Sequence, residues 1–142
     1  MITIKRVKRL FKYWLPPFLW AAIIFTFSSL KTPVASEVYW QEFAIKKTIH
    51  MIEYAIFSVL VYRALKNYGV KKGKAMIISV FLGLLYGAGD EFHQSFTPGR
   101  EPRVRDIIFD TIGGVLGILF VWKLLPKVPK KLKNLAEKLD LM

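Results

Sequence analysis

The sequence contains no cysteine among its 142 residues. Disulfides and thiolate metal sites are excluded, and cysteine usage leaves the redox compartment undetermined. Acidic residues are scarce as well: ten Asp and Glu stand against 22 Lys and Arg, for a formal net charge of +12. In a soluble domain that excess would point to nucleic acid. Here the chain is 54% hydrophobic with a positive mean hydropathy, and its basic residues are kept out of the apolar runs and gathered between them. That pattern belongs to loops on an anionic membrane surface, with membrane lipids as partners, and speaks against nucleic acid.

Four apolar runs are long enough to cross a bilayer as helices, each needing about 20 residues. They span roughly 14–30, 48–65, 75–96 and 106–125. The first is uncharged from Tyr13 to Leu30, longer than the apolar core of a signal peptide, and no small-x-small cleavage pattern follows it, so a retained anchor is expected. The second has a short charge-free core, which a buried or tilted helix accounts for. The expected fold class is all-α: a polytopic membrane protein with a four-helix transmembrane bundle and basic amphipathic terminal segments, forming one domain over 1–142.

Orientation follows from lysine and arginine in the short connections. Basic residues crowd the N-terminus (Lys5 to Lys12), the second link (Arg63 to Lys74) and the tail (Lys123 to Lys138). With four crossings these three segments share a side, so both termini are expected in the cytoplasm. In the tail, 127–142, Leu132, Leu135, Ala136 and Leu139 recur at helical spacing among lysines, the pattern of an amphipathic helix lying on the cytoplasmic leaflet. Ile4, Val7, Leu10 and Phe11 do the same at the N-terminus. Tyr39, Trp40 and Phe43 are expected as interfacial anchors in the first outer loop.

The scarce acidic residues are the informative ones. Glu53, Asp90, Glu91, Asp106 and Asp110 interrupt or border the apolar runs, where a carboxylate costs a few kcal/mol or more unless it has a partner, a proton or a function. Four crossings bring all five to one side. Lys46, His50, Glu53 and Phe57 share a helix face. Asp90, Glu91, His93 and Gln94 fill the last turns of the third run, above Gly83 and Gly87. Asp106 and Asp110 lead into Gly113 and Gly117. Both glycine pairs have the small-xxx-small form that lets helices approach closely in lipid, which predicts that runs three and four pack glycine face to glycine face. Ala22, Thr26 and Ser29 are expected to join the first run to that end. Thr97-Pro98-Gly99-Arg100 suits a type II turn that would return Arg100 over the acidic cluster, where its planar fork fits a phosphate or a carboxylate.

Lys47-x-x-His50-x-x-Glu53-Tyr54, Asp90-Glu91-x-x-Gln94-x-Phe96-x-Pro98-Gly99-Arg100 and Asp106-x-x-x-Asp110-x-x-Gly113, with Trp20 and Ser28-Ser29 in the first run, resemble the signature of VanZ-like membrane proteins over roughly residues 14–122. The resemblance implies a four-helix protein of the bacterial cytoplasmic membrane linked to teicoplanin resistance; no established reaction comes with it. Two positions depart from the family pattern: Asp110 stands where Asn is usual, adding a negative charge, and Arg103 where a small polar residue is usual, adding a positive one.

Three functional classes follow. An enzyme at the outer leaflet would draw its catalytic groups from His50, Glu53, Asp90, Glu91 and Gln94, with His50 or Glu53 as general acid or base. Ser29, Lys47, Tyr54, Arg100, Asp106 and Asp110 would contact substrate, with Lys47 and Arg100 on a phosphate. A binding module would use the same cluster to hold a lipid head group, a lipid-linked envelope precursor or a glycopeptide without reaction. A transporter would need polar residues at the midplane and inner half, where almost none occur. Each residue also has a plainer use: Glu53 can pack against His50 or Lys47, His93 can cap its helix, and Arg100 can neutralise Asp106 or Glu91. Mutual repulsion among five carboxylates predicts one of three remedies: Arg100 folded inward, a divalent cation as cofactor, or a protonated carboxyl.

Overall fold

The computed structural model describes residues 4–30, 37–98 and 102–141. Among them every regular element is helical. The order is α1 (Ile4–Ser29), α2 (Tyr39–Asn67), α3 (Lys72–Gln94), α4 (Val104–Leu119), a π-turn (Phe120–Leu124), a 3-10 turn (Leu125–Lys127) and α5 (Lys130–Lys138). Four helices are long and apolar enough to cross a membrane: 4–29, 39–67, 72–94 and the continuous stretch 104–127. The interior combines two apolar clusters, one around Ile24, Tyr54, Phe57 and Val61 and one around Tyr62, Ala75, Ile118 and Val121, with buried polar residues Ser28, Ser58, Ser79, Asp90, Glu91, Gln94 and Asp110. Large apolar side chains such as Phe18, Ile52, Ile77, Phe81, Phe92 and Ile112 point outward. A fold that turns its apolar surface outward is built for lipid.

Helices outrun the apolar blocks. α1 begins at Ile4 and, at about 1.5 Å per residue, is roughly 39 Å long, so its basic first turns extend past a hydrocarbon core of about 30 Å. α2 begins at Tyr39 rather than near Thr48, which places Tyr39, Trp40 and Phe43 in its first turns and not in a loop. No glycine or proline interrupts that stretch, and Glu42 pairs with Lys46 one turn on. The ring of Phe43 meets Phe109 edge-on and lies beneath the Lys47 and Arg105 cations.

Prolines are absorbed by partners. Pro16 and Pro17 lie inside α1, and Pro16 removes the N–H that would have bonded the Lys12 carbonyl. Arg63 Nη1 donates to that carbonyl instead (3.4 Å). Pro126 likewise cannot bond the Trp122 carbonyl, and the preceding turn widens to a π-turn over Phe120–Leu124. α2 ends in a Schellman cap: Gly69 has φ +87, its N–H bonds the Lys66 carbonyl, and the Val70 N–H bonds that of Leu65.

The four crossings make α2 and α4 parallel, and these two helices are in backbone contact. A Cβ on Gly113 would lie 2.6 Å from Met51 Cα, and one on Gly117 would lie 2.6 Å from the Ala55 carbonyl oxygen. The α4 glycine face therefore packs on α2, not on the α3 glycines. On α3, Gly83 faces Ser58, and Gly87 faces Asp110 and the Tyr54 ring. The expected glycine-to-glycine seam is replaced by two seams meeting on α2. In α1, Ala22 and Thr26 are exposed and Ser29 is only partly covered. Ile24 and Ser28 form the inward face instead.

Candidate functional site

At one end of the bundle two acid–base pairs cross from α2 to α4 in register. Lys47 Nζ lies 2.6 Å from Asp106 Oδ2, and one turn deeper His50 Nδ1–H donates to Asp110 Oδ1 at 3.2 Å. Lys47 and His50 share a face of α2, as Asp106 and Asp110 do on α4, and the glycine contacts below hold the two helices close enough for both pairs to form. Asp110 is 1% exposed while the His50 side chain is 20% exposed. The buried carboxylate orients an imidazole whose Nε2 has no partner among the described residues. This is the geometry of a positioned acid or base. The extra negative charge of Asp110 thus lands on a histidine that can take it up.

α3 runs the other way and delivers Asp90, Glu91 and Gln94 to the same end, all buried. Gln94 Nε2 donates to Asp90 Oδ2 at 3.0 Å. Glu91 Oε2 accepts the Arg103 N–H at 2.8 Å, and Arg103 is the residue that precedes the first turn of α4. Glu91 therefore caps a neighbouring helix, placing a carboxylate at the positive end of its dipole. Beneath them the Tyr54 ring packs against Phe57 and Tyr86. Trp20 Nε1 donates to the Glu53 carbonyl (2.9 Å), and Tyr86 donates to the Ala21 carbonyl (2.6 Å). These two bonds fasten α1 to the wall of the cluster.

Several buried atoms have no hydrogen-bond partner among the described residues: Asp90 Oδ1, Glu91 Oε1, Asp110 Oδ2, and the hydroxyls of Tyr54, Ser58 and Ser28. Each buried orphan costs about 1–3 kcal/mol, so these atoms carry a deficit among the described residues that a proton, a water, a ligand or the rest of the chain must offset. Among the described residues no three His, Asp or Glu converge as a metal-ligand set.

Of the residues singled out from sequence, His50, Lys47, Tyr54, Asp90, Glu91, Gln94, Asp106 and Asp110 gather at this end. Glu53 is partly buried on α2, just below His50. Ser29 is not brought in: its hydroxyl bonds its own helix at the Phe25 carbonyl, and the neighbouring Ser28 is the one that turns inward. Arg100 and the Gly99 before it lie outside the described residues, as does part of the expected turn. The His93 ring packs tilted against Phe25, with ring centroids 4.3 Å apart. Sequence reasoning missed Ser58, whose hydroxyl lies where both Gly83 and Gly114 approach; a serine midway along an apolar helix, level with two glycines, was the available signal.

Neither curated proteins nor solved structures match the chain. The VanZ/LLP1 family model matches residues 3–125, nearly its whole length, and the chain belongs to that family.

Proposed function

We propose that this protein sits in the bacterial cytoplasmic membrane with both termini in the cytoplasm, and that its polar end handles the head group of a cell-envelope lipid or glycan at the outer face. One observation carries the reading: buried polar groups from three helices converge at one end and keep acceptor atoms without partners among the described residues. A purely structural polar core would be selected for mutual satisfaction. Ionisable groups inside a membrane protein mark sites by default.

The arrangement offers two chemistries. The carboxylate oxygens without partners among the described residues can accept hydrogen bonds from hydroxyl or ammonium groups of a head group, and Lys47, paired with Asp106, supplies a cation at the rim. His50, oriented by Asp110, adds a group able to move a proton. Binding needs only the first, and catalysis would recruit the second.

The family resemblance makes protection against teicoplanin the cellular readout. Asp90→Asn, Glu53→Gln and His50→Gln preserve shape while removing charge or basicity. Each should abolish protection while membrane abundance and melting temperature stay near those of the parent chain. Full protection in all three would overturn the reading, as would loss of protection that only tracks loss of protein.

A further inference from the structure

The opposite end of the bundle is constructed as carefully as the site. α5 ends in a second Schellman cap, with Asp140 N–H on the Glu137 carbonyl and Leu141 N–H on that of Ala136. Asp140 takes the left-handed position, φ 56, where glycine would be free of strain. Its carboxylate explains the choice: Oδ2 lies 2.7 Å from Lys12 Nζ, accepts the Tyr13 hydroxyl at 3.3 Å and lies 3.6 Å from Arg63 Nη2. Arg63 Nε donates to the Leu139 carbonyl (2.6 Å), and Asn67 donates to that of Asp140 (3.2 Å). Two helices thus clasp the tail, and Ala136 is seated in a core with Tyr62, Ala75, Ile118, Val121 and Leu125.

So held, α5 turns Leu132, Leu135 and Leu139 outward, each about half exposed, beside exposed Lys130, Lys131 and Lys138. The first turns of α1 show the same design at the same end: Ile4, Val7 and Phe11 exposed among Lys5, Arg6, Lys8 and Arg9. Position along the chain assigns this end five cations from the N-terminal segment, five from the end of α2 to the start of α3 (Arg63 to Lys74) and six from the tail, against the two acids Glu137 and Asp140. A second copy would set like charge against like, so the complementary partner is anionic.

We propose that α5 and the start of α1, joined through Asp140 to Lys12 and Tyr13 and braced by Arg63 of α2, form a docking surface for anionic lipid, with the leucines in the acyl boundary and the lysines on head-group phosphates. The surface lies at the far end from the carboxylate cluster and does not depend on what that cluster binds.

The absence of native cysteine makes a single probe clean. A nitroxide on Leu135→Cys, in full-length protein reconstituted in nanodiscs, should gain oxygen contact and lose contact with a water-soluble relaxing agent when phosphatidylglycerol replaces part of the phosphatidylcholine. Adding Lys130→Gln and Lys131→Gln should weaken that response by roughly fivefold per charge removed. Equal water contact in both lipid compositions overturns the proposal, and this comparison needs no lysine variant. Spin–spin broadening that rises with protein density would assign the leucines to a second copy and overturn it equally.

Discussion

At the scale of single residues the molecule spends its few carboxylates on specific jobs. Glu91 caps α4, Asp110 orients His50, Asp106 holds Lys47, and Asp140 closes the tail clasp. Asp140 gives the sharpest test because it combines backbone strain of roughly 1 kcal/mol with a charge. The hydrogen bond from Lys12, assisted by Tyr13 and Arg63, holds its carboxyl below the ordinary aspartate value of 3.8. A depressed acid contributes stability that is complete above its unfolded value and lost as pH falls through the folded one. The clasp should therefore be indifferent to pH from neutrality down to about that ordinary value and open only below it, read as mobility of a probe on α5. Asp140→Gly separates the two roles: it relieves the strain yet should free the tail at every pH, whereas a tail tightened by glycine would reduce Asp140 to a cap. The five acids that interrupt or border the apolar runs were legible in the sequence because charge there stands out. Asp140 and Arg63 were not, since both lie at helix ends where charge is ordinary. Only the fold shows that Arg63 answers the carbonyl freed by Pro16 in another helix.

At the scale of elements, the four spans were readable because lipid demands continuous apolar runs, but the helix limits were not. Hydropathy marks where lipid is, while hydrogen bonding continues through Glu42 and Lys46 or Lys5 and Lys12. Glycine spacing showed that backbones touch without showing which ones. The α4 glycines chose α2 because that pairing also sets Lys47 on Asp106 and His50 on Asp110, a coincidence of register invisible along one chain. The consequence is a graded series. Gly113→Leu pushes against the Met51 backbone, which cannot swing aside, and should cost at least the ~1–3 kcal/mol of an overpacked core, seen as a lower melting temperature in detergent. Gly114→Ala clashes with the Ser58 hydroxyl, 2.6 Å away, and its other neighbours stand at ordinary contact distance, so pairing it with Ser58→Gly should recover much of its loss. Gly89→Ala has open space around it and should be neutral or stabilising by up to about 1 kcal/mol. A flat series, with Gly113→Leu melting like Gly89→Ala, would separate α2 from α4 and leave the two acid–base pairs without a scaffold.

At the scale of the whole molecule the charge is polarised. The end bearing α5 carries sixteen of the 22 cations, while position along the chain gives the carboxylate end six cations and eight acids. Insertion retains lysine and arginine in the cytoplasm and is nearly blind to Asp and Glu, so the excess of cations decides orientation and the acids do not oppose it. The three arginines Arg100, Arg103 and Arg105 are the only concentrated contrary signal, and the three basic segments outnumber them. With no native cysteine to block, the prediction reduces to two substitutions in intact cells. Glu42→Cys, in the first turn of α2, should react with an impermeant thiol reagent applied outside. Lys71→Cys, in the α2–α3 link, should react only after the membrane is opened. Reversed labelling would carry the carboxylate end, Lys47 and His50 into the cytoplasm and place the lysine-rich clasp outside, where it would meet the other leaflet. The head-group reading would then have to name a cytoplasmic ligand, so one labelling experiment constrains both ends of the molecule.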